Sequence, residues 1–251
     1  MLFYGKTDVG RRREMNQDDF AIRKYSYDVL AAVVCDGMGG ANGGNVASRV
    51  AVETFMTQLD EYEHEHPSFF GESEEDILDC LSAAVTAANR AVYKTAAGDP
   101  SLTGMGTTLV AIIAVGEKGY VVNVGDSRLY LIADGEIEQV THDHSYVQAL
   151  VDFGTLSPED AKNSKMKNMI TRAVGTGKTV DADLFIIEMK PGTYAVLCSD
   201  GLTNHVEPEE ICETVREIDA NGNIEAACEA LIDRANSRGG HDNITAVILS
   251  L

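Results

Sequence analysis

At 251 residues, 44% apolar and 24% charged, the chain has ordinary globular composition, and a single large domain with a sizeable core is expected. Forty acidic residues against twenty basic ones give a formal charge of −20; this repels nucleic acid and anionic membrane surfaces and excludes them as expected partners, while bound divalent cations would offset part of it. Five cysteines without a C-x-x-C pair, an N-terminus (MLFYGKTDVGRRR) charged where a signal peptide needs apolar residues, and no apolar run of spanning length point to reduced thiols in a cytoplasmic protein.

In chain order the patterns predict a strand at 29–35, helices at 45–59 and 74–95, strands at 108–115, 120–124 and 129–133, and a helix at 145–153. Strands at 184–188 and 194–199, helices at 209–217 and 224–237, and a last strand at 244–251 follow. The strands are rich in Val, Ile and Tyr and bounded by Gly, Asp or Asn; in the second helix Ile77, Leu81, Val85, Ala88 and Val92 form one apolar stripe. Ser157-Pro158-Glu159-Asp160 reads as a helix start, with Ser as cap and Pro at the first helical position. Gly116-Glu117-Lys118-Gly119 reads as a hairpin turn. The polar stretch 61–76 is expected to be a surface connection. Strands and helices come in blocks, without the alternation a parallel sheet needs, which favours α+β layers.

The stretch VVCDGMGGANGG, residues 33–44, ends a strand on a carboxylate and then gives up most of its side chains. A phosphate cradle, a metal corner and a plain turn all fit these residue types. A dinucleotide fingerprint begun at Gly37 would need Gly where Asn42 stands, and no G-K-[ST] follows. Asp126, Asp200 and Asp242 likewise sit where a strand ends or is about to begin. Magnesium and manganese take oxygen ligands and keep several waters, so carboxylates from separate loops suit them; clustered without a cation, the same groups would repel one another. Two ions sharing a water can drive phosphoryl transfer without a side-chain nucleophile. Arg13, near the acidic loop Asn16-Gln17-Asp18-Asp19, could supply a planar fork for phosphate oxygens. Taken one at a time, each Asp reads more readily as a turn or cap residue, and periodicity does not show that they meet.

Taken together and in order, GRRREMNQDD, CDGMGG, GTT, VGDSRLY, ITRAVG, CSDGL and HDNIT resemble the PPM family of metal-dependent serine/threonine protein phosphatases, the type 2C class, over residues 3–251. The compact form is similar to bacterial members. The resemblance implies a four-layer α-β-β-α sandwich, two packed, mostly antiparallel sheets flanked by helices. It implies one catalytic domain over 1–251 with a flap around 145–180, and two Mn2+ or Mg2+ ions at one end. By motif matching Asp36 would bridge the ions, the Gly37 carbonyl would ligate one, Asp200 and Asp242 would hold the other, and Asp18 would act through water. Arg13 matches the family's phosphate-binding Arg, and Asp126, the shared Asp200 and the Ser145 region match a weaker third ion. Phosphorylated proteins, substrates of a bacterial Ser/Thr kinase, are the implied partners of a chain expected to act as a monomer.

The pattern departs from the family at three places. Met38 stands where some members carry a His proposed to protonate the leaving group, and a thioether has no proton to give. His241, beside Asp242, is one substitute acid, and a turn residue is the bland alternative. Gln17 replaces a frequent Glu, and Asn204 an Asp.

Gly177-Lys178-Thr179 imitates the end of a P-loop, but Arg172 stands where its first Gly belongs, so a nucleotide binder is the weakest alternative. His64/His66 and His142/His144 lack the context of a metal pair and are expected on the solvated surface. The stretch 161–178 holds five basic residues (Lys162, Lys165, Lys167, Arg172, Lys178) and no acidic one. It would attract acidic phosphorylated segments, or be a solvated loop with no such task. A non-catalytic phosphoprotein-binding module on the same fold is the alternative function.

Overall fold

The computed structural model describes residues 1–26, 28–66, 73–219 and 223–251. Its organisation follows from β3 (Val29–Met38), in which every residue from Val29 to Cys35 is buried. Alternate side chains of a strand point to opposite faces, so Leu30, Ala32 and Val34 enter one apolar cluster and Ala31, Val33 and Cys35 another. A strand buried on both faces needs a layer on each side. Here one side is a second sheet and the other is helices α1 (Gly40–Glu65) and α2 (Glu74–Gly98).

The first sheet has the order β2 (Asp18–Lys24), β3, β5 (Leu109–Val115), β6 (Lys118–Val124), β9 (Asp183–Glu188), with the short β4 (Gly106–Thr107) paired to the end of β3. The second runs β1 (Leu2–Asp8), β11 (Ile244–Ser250), β10 (Tyr194–Cys198), β7 (Arg128–Ala133), β8 (Glu136–Gln139). All the pairings are antiparallel. Val110, Ile112, Val121, Leu129, Leu197, Val247 and Leu249 fill the layer between the sheets. Tyr130, Val196, Ala246 and Ile248 face away, onto α6 (Pro208–Asp219) and α7 (Ile224–Ser237). The result is the four-layer α-β-β-α arrangement, with helix α2 started by a reciprocal Ser73–Asp76 capping box. The helices α3 (Tyr146–Asp152), α4 (Pro158–Lys162, capped by Ser157) and α5 (Asp200–Thr203) lie in connections around one end.

The expected strands are present within a few residues of their predicted bounds, and the turn at Gly116-Glu117 joins β5 to β6 with Val115 opposite Lys118. Strands β1, β2 and β8 escape the apolar pattern because they lie at sheet edges and are only partly buried. Helix α1 starts five residues earlier than predicted and continues to Glu65, so part of the polar stretch 61–76 is helical; residues 67–72 of it fall outside the described residues.

The early start of α1 gives the glycines a packing task of their own. A Cβ on Gly37 would lie 2.1 Å from the Gly44 carbonyl oxygen, and one on Gly44 would lie 2.6 Å from that of Gly37. No real Cβ contact is that short, so the missing side chains are what let the end of β3 run beneath the first turn of α1.

Candidate active site

Strand register carries five aspartates to one end of the sandwich. Asp18, first in β2, lies directly opposite Asp36 near the end of β3. Leu109 opposite Val124 brings the end of β6 to that end, and Asp126 follows two residues later. Cys198 pairs with Arg128 and with Ala246, so Asp200, after β10, and Asp242, before β11, arrive there from the second sheet. Asp36, Asp126, Asp200 and Asp242 line a common cleft of about 1030 Å³ together with Arg13 and Gln17. Asp36 and Asp200 line the same cleft, one from each sheet.

Burial pushes the Asp36 carboxyl well above the ordinary carboxylate range, and the charges of Asp18, Asp200, Asp126 and Asp242 push it further. Burial first and then the charge of Asp242 raise Asp200. Asp126 is pushed up to about 8 by burial, then by Asp200 and Asp143. Asp18 rises to about 7 through burial, although Thr245 and Ser199 oppose the rise. Each of those hydroxyls donates to Asp18 Oδ2 at 2.7 Å, while Oδ1 is buried with no partner among the described residues. An unpaired buried carboxylate oxygen is costly unless something positive or a water reaches it.

Main-chain contacts fix Asp36. Its N–H donates to Thr108 Oγ1 at 2.9 Å, and its carbonyl accepts from Thr107 Oγ1 and from the Thr108 N–H, both at 2.9 Å. The Thr108 hydroxyl also meets Ser127 Oγ at 2.7 Å, beside Asp126. Asn243 performs a similar service for the N-terminal loop: its Nδ2 donates to the carbonyls of Val9 and Met15, and its Oδ1 accepts from the Gln17 N–H. Sequence reading assigned no role to Thr107, Thr108 or Asn243. Their signal was already present as GTT and HDN, but hydroxyl and amide residues announce hydrogen bonds without naming their partners.

Arg13 reaches the cleft, where its guanidinium donates to Asp242 Oδ2 at 2.7 Å with its side chain 49% exposed. Asn204 donates to Asp200 Oδ2 at 3.0 Å. Met38 lines the wall beside Gly106. His241 stacks on His205 with ring centroids 5.0 Å apart.

A neighbouring cavity of about 720 Å³ shares Asp126, Asn168 and Asp200 with the cleft and is closed by residues of 145–167 and the start of α6. Ser145 lines this second cavity, and its hydroxyl oxygen caps α3 by accepting the Gln148 N–H at 3.2 Å. Among the described residues no group of three or more His, Cys, Asp or Glu side chains is arranged to hold a metal ion.

Other sequence readings change. His144 is not on the solvated surface: it is 5% exposed, because the return of 170–172 and the start of β9 cover it. Burial lowers its pKa, against a smaller upward pull from Asp183. His142 is exposed as expected and pairs with Asp152 at 2.8 Å; His64 and His66 are exposed. The Gly175–Gly177 turn is clamped by Asn89 of α2, which accepts the Gly175 N–H at 2.7 Å and donates to the Gly177 carbonyl at 3.1 Å. The basic stretch is partly neutralised, Lys162 by Glu207 and Arg172 by Asp183. Lys167 lies close enough to Asp200 for its charge to oppose the rise there.

Residues 8–236 match the family model for protein phosphatase 2C. The chain is 36% identical to a serine/threonine phosphatase, stp, of Listeria monocytogenes, over 97% of this chain and 93% of that one. Its fold superposes on the crystal structure of the Mycobacterium tuberculosis serine/threonine phosphatase PstP/Ppp with a TM-score of 0.86 at 34% identity, covering 100% of this chain and 98% of the other. A structure of the PstP catalytic domain in complex with two manganese ions is similar at 36% identity and a TM-score of 0.81, covering 98% and 96%.

Proposed function

The chain belongs to the protein phosphatase 2C family, and from that premise we propose that the cleft at Asp36 hydrolyses phosphoserine and phosphothreonine esters of proteins. The observation that carries the assignment to this cleft is the convergence of Asp36, Asp126, Asp200 and Asp242 on its wall, with Asp18 opposite Asp36 on the neighbouring strand. A fold that gathers so many carboxylates at one end gains from a cation there. The donor set is all oxygen, and the unpartnered buried Oδ1 of Asp18 is an acceptor in waiting, as hard divalent ions require.

On this reading Asp36, the Gly37 carbonyl, Asp200 and Asp242 would hold two ions, Mn2+ or Mg2+. Asp18 contributes through water, and Asp126 with the Ser145 region serves a weaker third. Main-chain and water oxygens would complete each shell. A bound pair would neutralise the carboxylates and acidify water for attack at phosphorus.

The remaining steps belong to the chain. Arg13, half exposed and among the described residues paired with Asp242 alone, can turn its fork to two phosphate oxygens. Thr107 and Thr108 fix the main chain from which the Asp36 carboxyl projects. Met38 cannot protonate the leaving alkoxide, so that proton comes from elsewhere. Residues 1–251 act as one catalytic domain with 145–180 as its flap, in a cytoplasmic monomer whose substrates a bacterial Ser/Thr kinase supplies; among the described residues no helix is long and apolar enough to cross a membrane.

The deciding experiment is Mn2+-dependent release of phosphate from a phosphothreonine peptide. Asp36→Asn and Asp242→Asn are expected to abolish it while circular dichroism stays native. Undiminished turnover in either variant would remove the assignment.

A further inference from the structure

His144 is committed at both ring nitrogens. The Gly125 N–H donates to Nδ1 at 3.1 Å, so Nδ1 holds a lone pair and the ring proton sits on Nε2. Nε2 then donates to Asp183 Oδ2 at 3.0 Å. The opposite tautomer would set the Nδ1 proton against the Gly125 N–H. Arg172, 3.2 Å from Nε2, is engaged with the other oxygen of Asp183 at 2.7 Å.

The main chain of His144 grips the same place. Its N–H donates to the Gly125 carbonyl at 2.9 Å, and its own carbonyl accepts from the Thr171 N–H at 2.7 Å. Gly125 is therefore held by its N–H through the ring and by its carbonyl through the backbone. On its other side a Cβ would lie 2.6 Å from Thr108 Cγ2, and its φ is +111°. The turn has no room to slide. The next residue is Asp126, whose side chain stands in the wall between the two cavities.

We propose that His144 is a positioning residue for Asp126, holding the Gly125 turn through Nδ1, while Asp183 sets the tautomer that leaves Nδ1 free to accept. The proposal rests on the reading of Asp126 as a cation ligand. A histidine oriented by a carboxylate and gripping the backbone beside a ligand sets where that ligand stands, as outer partners of metal sites do. It does so without touching the ion.

The test uses the full chain stripped of metal and titrated with Mn2+ by calorimetry, together with amide exchange read by mass spectrometry and thermal melting. His144→Asn places an oxygen where Nδ1 accepts; His144→Gln does not. The Gln variant is expected to weaken the weakest Mn2+ event at least about tenfold and to speed exchange at Gly125 and Asp126 about tenfold, whereas the Asn variant stays within about threefold of the unaltered protein in both. Exchange in β3 and β5 should not change. Equal losses in Asn and Gln that track the melting temperature would mean packing alone and would overturn the proposal. So would unaltered Mn2+ binding in His144→Gln when Asp126→Asn weakens it. If Asp126→Asn binds Mn2+ as the unaltered protein does, the ligand reading itself fails and takes the role of His144 with it.

Discussion

Asp18 and Asp36 stand directly opposite each other across the β2–β3 pair, which puts two carboxyl groups side by side where a sheet would ordinarily place a neutral or oppositely charged pair. Antiparallel pairing leaves no freedom to separate them. The strain is electrostatic, and it depends on pH and on cations.

Without metal the protein is therefore expected to lose stability as pH rises. Asp18 and Asp126 titrate in the folded state at about 7 and about 8, above the ordinary value, so between about pH 4 and 8 the folded chain binds more protons than the unfolded one. Stability then falls with rising pH. Added Mn2+ should reverse the trend, most at the alkaline end. Melting of the chelator-treated protein at a series of pH values, with and without Mn2+, measures this; a melting temperature that rises from pH 5 to 8 in the stripped protein contradicts it.

Thr108→Val removes the acceptor of the Asp36 N–H and the partner of Ser127. A buried N–H left unpaired costs about 1–3 kcal/mol. Urea unfolding should show a lower midpoint of that order with an unchanged slope, and Thr108→Ser should recover most of it. A neutral Thr108→Val would mean that Asp36 is held by other contacts.

Arg13→Ala is expected to raise KM for a phosphopeptide by about tenfold or more while kcat changes less, since a contact present in the ground state is lost. Inhibition by inorganic phosphate should weaken in parallel. A fall in kcat with KM constant would place Arg13 in the transition state alone.

Lys165 and Lys167 differ from Lys162, which Glu207 already neutralises. Replacing both Lys165 and Lys167 by Ala should lower kcat/KM for an acidic phosphopeptide several-fold more than for an aryl phosphate, and added salt should shrink the difference. Lys162→Ala should do little. Equal effects on both substrates would show that the segment does not read the peptide.

Asn89→Ala leaves the Gly175 N–H and the Gly177 carbonyl without their partner. A cost of about 1–3 kcal/mol is expected, with faster amide exchange confined to 174–178. Exchange spread through α2 would instead point to a packing defect.

Sequence exposed most of the fold because the central strands are buried on both faces and read as apolar runs. It missed β8, whose best signal was the Asp134-Gly135 pair; both residues take positive φ in a two-residue hairpin. The carboxylates of the candidate site were legible as strand-end residues, but their meeting depends on register between two sheets, which no local pattern encodes. Close packing between β3 and α1, which the glycines after Asp36 permit, looks the same in sequence as close approach to an ion. His144 was misread for a related reason: a histidine in a polar run looks solvated until the segment that covers it, some thirty positions on, is known to return.

The pairing of the first strand with the last has a practical meaning. Leu2 lies opposite Ser250, while Asp8 lies opposite Ile244 at the carboxylate end. Leu2 and Ser250 therefore lie on the far side of the sandwich, six strand residues or roughly 20 Å from the cleft. A tether or fusion at either end would carry the catalytic mouth outward and unobstructed. A linker from 251 to 1 with new ends opened in an exposed turn should give a circularly permuted phosphatase.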